Sequence, residues 1–271
     1  MIGFHRPACY VLLACALAAT PRATHAATEW HVAPGGSGTG SRSAPFGRIQ
    51  DGLAAAQPGD TVHVARGTYE ESLHSIRDGS ADRRITVRAV DGRGSVVITA
   101  SGRVLTVAHT HHTIEDLVLD GQYGSDDIVR VETGGHGFTL RGSEVRRTSR
   151  DGIDIDAPAD VLIEGALVHH TLNASAGRTD AHGIVAGAAR RLTIRHTEVH
   201  TFSGDAFQID PGRADTARFD RWSASLGSAA ASTATFRTSS RLRDDDAGVN
   251  TCRTAPPKVL FHTFSSLTSS S

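Results

Sequence analysis

The sequence predicts an all-β fold, a solenoid of short parallel strands that closes one coil per repeat. Two observations carry this. Four hexapeptides superimpose without gaps, 127–132 (DIVRVE), 151–156 (DGIDID), 182–187 (HGIVAG) and 205–210 (DAFQID), at spacings of 24, 31 and 23 residues. Between them lies a second set, 112–114, 138–140, 161–163 and 192–194, each followed five places later by an apolar residue: Leu119, Val145, Val168 and Val199. The long runs of helical period that a helical solenoid needs are absent. So is the Leu and Asn spacing of leucine-rich repeats.

The elements follow in order. Residues 1–26 read as a signal peptide: His5 and Arg6 form a short polar start, 11–19 are apolar, and 24–26 (THA) offers a small-x-small cleavage site. The apolar run is shorter than the ~20 residues that span a bilayer, so no integral membrane segment is expected after cleavage. Lipoprotein anchoring at Cys15 is the alternative. Cleavage removes Cys9 and Cys15 and leaves Cys252 as the only thiol, so no internal disulfide is expected.

Residues 27–221 form the predicted solenoid domain. Residues 30–32 (WHV) are a short strand and 35–42 a Gly- and Ser-rich loop. Ser43 is expected to cap a helix with Pro45 in its first turn. Phe46, Ile49, Leu53 and Ala56 then share one face at helical spacing. An open solenoid end exposes core and backbone edge, so an amphipathic helix laid over it is the expected cover. The sequence 58–60 (PGD) ends that helix and 61–64 (TVHV) resumes strand.

In the repeats, period-two alternation sends one set of positions inward. Val129, Ile153, Ile184 and Phe207 form one buried column, and Val131, Ile155, Ala186 and Ile209 the next. Like stacked on like gives a core without a second sheet. Arg130, Asp154, Val185 and Gln208 form one outward column, and Glu132, Asp156, Gly187 and Asp210 another. Residues 222–271 are roughly one-third Ser and Thr, with no period, and are expected to be an irregular, disordered tail. The β-solenoid is expected to be incomplete at this C-terminal end.

Composition narrows the function classes. With 28 basic and 29 acidic residues the formal charge is −1, which argues against a nucleic-acid binder. Hydrophobic residues make up 39% and aromatics 5%, so the core is aliphatic. A monomer is expected. The 28 glycines point to many turns.

Several segments together resemble a known group: Pro45 and Phe46 through Ile49, then 57–62 (QPGDTV), 65–69 (ARGTY) and 84–89 (RITVRA). They are similar to the opening of right-handed parallel β-helix, pectate lyase-like proteins, including the family of chondroitinase B and alginate lyases. The resemblance spans about residues 30–210. It implies a right-handed parallel β-helix with an N-terminal cap helix. Because the motif is a capping and turn signature, it speaks to fold more than to chemistry.

The column that opens each outer repeat, Asp127, Asp151, His182 and Asp205, is where chemistry is expected. Rungs are ~4.8 Å apart, so Asp151 and Asp205 should flank His182, roughly 10 Å from each other by two rungs. A neighbouring carboxylate favours the imidazolium and fixes its tautomer. Three readings stay open. The acids, Asp154, Asp156 and Asp210 among them, hold Ca²⁺ for a lyase acting on uronates. Or Asp151, Asp154 and Asp205 act with His182 as acid and base in hydrolysis. Or the Asp residues only start strands and satisfy turn amides. The segments 151–154 (DGID) and 181–183 (AHG) resemble polygalacturonase motifs, but the basic motif those enzymes carry downstream is absent.

The resemblance to lyases implies a Lys or Arg base. The only lysine is Lys258, which leaves Arg130, with Arg150 and Arg178 as further candidates. The catalytic set is therefore Asp151, His182, Asp205 and Arg130, with Asp154, Asp180, Arg178 and Gln208 as substrate-binding residues. Arg178 and Asp180 fall in an insertion before His182, and long loops on rigid scaffolds often bind ligands. A zinc site is also conceivable where His169 and His200 share a column with Asp120 and Arg146. The resulting expectation is an exported protein that cleaves acidic polysaccharide, lyase ahead of hydrolase. The alternatives are a non-catalytic glycan-binding or cell-envelope protein and a truncated, inactive family member.

Overall fold

The computed structural model describes residues 26–173 and 181–208, the backbone of 209–210, and the backbone of Ala217–Asp220, Ser223–Ser225 and Thr251–Cys252. Three parallel sheets build the molecule, and from Thr61–Val64 to Phe207–Asp210 the chain visits them in the same order in every coil. The first contains Glu29–Val32, Thr61–Val64, Ile85–Ala89, His112–Glu115, Thr139–Arg141, Leu162–Glu164, Leu192–Arg195 and Ala217–Asp220. The second contains Gly67–Glu70, Val96–Thr99, Leu117–Gly124, Glu144–Thr148, Leu167–Thr171, Glu198–Phe202, Ser223–Ser225 and Thr251–Cys252. The third contains Leu73–His74, Leu105–Val107, Val129–Val131, Ile153–Asp156, Ile184–Gly187 and Phe207–Asp210. The architecture is a parallel β-helix.

The predicted register holds. Val129, Ile153, Ile184 and Phe207 pair in sequence across the third sheet, and each is at most 1% exposed. Val131, Ile155 and Ala186 stack beside them, with Ile209 continuing the backbone pairing. The other two sheets contribute Val62, Val87, Ile114, Leu140, Ile163 and Ile194, and Ile98, Leu119, Val145, Val168 and Val199, all buried. β-Branched residues suit these positions because their restricted χ1 matches extended backbone. Each buried side chain is worth about 1.5–3 kcal/mol of transfer free energy.

The outward face of the first sheet is ordered too. Arg88, Glu115, Arg141, Glu164 and Arg195 succeed one another in register, alternating in charge. Arg141 reaches Glu115 at 2.7 Å and Glu164 at 2.9 Å, and Arg195 reaches Glu164 at 2.7 Å.

The N-terminal helix corrects one expectation. It spans Ile49–Ala55 and does not begin at Ser43 or contain Pro45. Phe46 is instead bridged to Val32, with Phe46 N–H bonded to the His31 carbonyl at 2.9 Å. No local side chain caps the helix. The carboxylate of Glu71 does so from the next strand connection, accepting from Ile49 N–H at 2.7 Å and Gln50 N–H at 3.1 Å. The expected apolar face is otherwise present: Ile49, Leu53 and Ala56 are buried. The helix lies against Glu29–Val32, Thr61–Val64 and Leu73–His74.

Residues 1–25 lie outside the described residues, as does the tail apart from Ser223–Ser225 and Thr251–Cys252. Those two strands extend the second sheet.

Candidate functional site

The corner between the second and third sheets carries the expected column. Gly152 N–H bonds to the His182 carbonyl and Gly183 N–H to the Asp205 carbonyl, both at 2.9 Å. Asp151, His182 and Asp205 are thereby held on successive coils. Each side chain also serves the next coil: His182 N–H donates to Asp151 Oδ1 at 2.9 Å, and Asp205 N–H donates to His182 Nδ1 at 2.7 Å. Asp205 Oδ2 lies 3.7 Å from the same Nδ1.

A nitrogen that accepts an amide hydrogen bond carries no proton, so the ring proton of His182 sits on Nε2. The arrangement needs a glycine at 204, where a Cβ would stand 2.7 Å from His182 Nδ1.

Burial pushes the Asp151 carboxyl up. The His182 amide bond opposes that rise and the nearby Asp127 charge adds to it. Asp127 is 1% exposed and is compensated by two guanidiniums, Arg150 at 3.1 Å and Arg103 at 3.6 Å. Sequence reading missed Arg103, because it precedes the first clear repeat.

Arg130 lies on the outward face of the third sheet, in register with Asp154. Its guanidinium bonds Asp154 and, at 2.9 Å, Asp156. Two of the carboxylates expected to hold Ca²⁺, Asp154 and Asp156, are thus paired with a cation of the chain's own. Among the described residues no three His, Cys, Asp or Glu side chains converge to hold a metal ion. Gln208 is half-buried in the same column, separated from Asp154 by Val185. The Asp210 side chain, Arg178 and Asp180 lie outside the described residues.

The histidines of the second sheet, where zinc was conceivable, form a ladder of polar contacts. His169 and His200 stack face to face, with centroids 4.8 Å apart and planes at 12°. His169 Nε2 meets Glu144 Oε1 at 3.1 Å, its Nδ1 meets His170 Nδ1 at 2.6 Å, and His200 Nδ1 meets Thr201 Oγ1 at 2.9 Å. Asp120 is fully buried in the same column and bonds Arg146 and Arg147, both at 2.8 Å. Its burial favours the neutral acid, but the Arg147 and Arg146 hydrogen bonds outweigh that and hold its pKa low.

No family model matches the chain. Among solved structures it is similar to the alginate lyase from Paenibacillus sp. str. FPU-7, at 14% identity and a TM-score of 0.51, over 79% of this chain and 95% of that one. It is similar also to XylC in complex with xylose, at 11% identity and a TM-score of 0.51, over 80% of this chain and 70% of that one. The fold is the right-handed parallel β-helix. At these identities the likeness is one of fold, and the roles of residues in this β-helix have to be argued from its own geometry.

Proposed function

We propose that this is an exported, polysaccharide-active β-helix protein that cleaves acidic polysaccharide at the Asp151–His182–Asp205 column, by hydrolysis rather than β-elimination. The observation that carries the reading is the column itself: Asp151, His182 and Asp205 stand on successive coils, linked through the His182 and Asp205 amides, with burial pushing the Asp151 carboxyl up. A raised carboxyl is suited to protonate a leaving oxygen. Asp205 lies two coils on, roughly 10 Å by the rung spacing, and would act as base on water. Inverting glycosidases place their two carboxyl groups about 6.5–9.5 Å apart. His182 is a positioning residue: its ring nitrogen fixes the Asp205 amide and its amide fixes Asp151.

Elimination has less support. It needs a base to remove the proton α to a uronate carboxylate. The Arg130 guanidinium is engaged by Asp154 and Asp156, and His182 Nδ1 is taken by the Asp205 amide. No step is assigned to Ca²⁺, since Arg130 occupies its described donors. Arg103 and Arg150 flank Asp127 and are the cations suited to pair with a uronate.

One observation favours a non-catalytic glycan-binding protein: Asp151 and His182 each accept the amide of the next coil, as a purely structural turn ladder would. The discriminating experiment incubates the protein with pectate, alginate and chondroitin, with Ca²⁺ and with chelator. New reducing ends without unsaturated-uronate absorbance are expected. Asp151→Asn and Asp205→Asn should each lower turnover by at least about 100-fold. Unsaturated product would replace hydrolysis by elimination. Retention of polymer in affinity electrophoresis with no product would leave binding alone. Export is checked by cell fractionation, with the mature chain expected to begin after Ala26.

A further inference from the structure

A cleft of about 390 Å³ opens at the same corner of the β-helix, on the coils immediately N-terminal to the column. It is lined by Glu70, Glu71, Ser72, Thr99, Ser101 and Gln122 among others. Its size falls in the ~300–1,000 Å³ range of ligand pockets. It is formed by the ends of Gly67–Glu70 and Val96–Thr99 with the residues that follow them, and by Gln122 within Leu117–Gly124, at the corner that carries Asp151, His182 and Asp205 further along.

The wall at Gln122 departs from the regular coil. Three residues separate Asp120 from Gly124, where the paired strand has one between Arg146 and Thr148. The two inserted residues leave Gln122 (φ 51°) and Tyr123 (φ 59°) consecutively in the left-handed region. For non-glycine residues that conformation costs about 1–2 kcal/mol each. The result is an exposed amide at the cleft, followed directly by a tyrosine that is 47% exposed, one of the few large side chains the fold leaves out.

The charge of the cleft selects its ligand. Glu70 has no ion pair among the described residues, and Glu71 is bound to the helix amides, with Arg48 at 3.7 Å. A uronate carboxylate entering here would meet like charge. A neutral sugar would not. Its hydroxyls can donate to Glu70 and exchange hydrogen bonds with Thr99, Ser101 and Gln122.

We propose that this cleft is a binding site for a neutral sugar residue, separate from the column and charged to exclude uronates. It goes beyond the cleavage reading and stands without it. A glycan running parallel to the axis would meet both, with the coil of Thr99 about 14 Å from that of His182 by three rungs.

The test is saturation-transfer NMR and calorimetry on the full chain with neutral trisaccharides (maltotriose, mannotriose and β-1,4-galactotriose) and with trigalacturonate. At least one neutral trisaccharide should bind, and Gln122→Ala and Glu70→Ala should weaken it by at least about tenfold. Trigalacturonate should not displace it, and Glu70→Gln should improve trigalacturonate binding. Ser101→Arg, at an exposed position, should fill the cleft and abolish binding whether or not Gln122→Ala folds. No neutral trisaccharide bound at about 10 mM would overturn the proposal. So would unchanged affinity in a folded Ser101→Arg variant, or trigalacturonate bound as tightly as the best neutral sugar.

Discussion

Asp151 is subject to two opposing demands. Its carboxyl is largely desolvated and close to Asp127, which favours the neutral acid, yet it must accept the His182 amide. The folded state therefore holds this proton to higher pH than the unfolded chain does. Its contribution to stability is full below the ordinary carboxylate pKa and is lost as pH rises through the folded value. Asparagine cannot ionise, and its Oδ1 still accepts the amide. Asp151→Asn should thus raise the denaturant midpoint at pH 7, and the gain should shrink as pH falls towards about 4. A lowered midpoint at pH 7 would show that desolvation does not set this group. Such a variant, more stable and inactive, is the pattern of a strained functional residue. The neighbourhood of Asp151, His182 and Asp205 was legible from the repeat spacing. The acceptor role of His182 was not, because it depends on how the turn at Gly204 aims the Asp205 amide.

Among the elements, the strands were legible and the helix start was not. Alternating Val and Ile with turn residues at each end define a strand locally, so Ile153–Asp156 and Ile184–Gly187 emerge from their own letters. The helix Ile49–Ala55 has its apolar face written in Ile49, Leu53 and Ala56, but its cap comes from Glu71, 22 residues on from Ile49. Ser43 offered a local cap and was the wrong one, since Phe46 bridges Val32 and keeps the chain extended to Arg48. Glu71→Ala should cost about 1–2 kcal/mol of stability, the usual range for losing a helix cap. Glu71→Gln, which keeps one acceptor oxygen, should cost less. Both are measured by chemical denaturation, and an unchanged midpoint for Glu71→Ala would remove the cap assignment. The alternating Arg88-to-Arg195 ladder is a register device of the same long-range kind. A slip of one rung would set like charges against each other, while each exposed pair alone contributes little.

At the scale of the whole molecule, histidine sets the acid limit of the β-helix. Burial lowers the pKa of His112, His169, His200 and His63 in the folded state. His112 is the clearest case: it is 2% exposed, and its Nε2 donates to the Arg77 carbonyl at 2.9 Å. Around it, Asp78 opposes the shift, while His109 and Arg84 reinforce it. Glu144 opposes the shift at His169, and His200 and His170 add to it. For each of these groups the unfolded chain takes up a proton at a pH where the folded coil does not. Their contribution to stability is therefore full above about pH 6.5, the ordinary histidine value, and falls as pH drops towards the folded pKa values. Each such histidine adds at most about 1.4 kcal/mol per pH unit to that slope. Denaturant midpoints measured from pH 8 to pH 5 should fall, and His112→Gln should flatten the fall. An equally steep profile in that variant would assign the acid limit to other groups. The solenoid makes the effect collective: each buried histidine sits in a coil that pairs with both neighbours, so charging one opens the backbone ladder on either side.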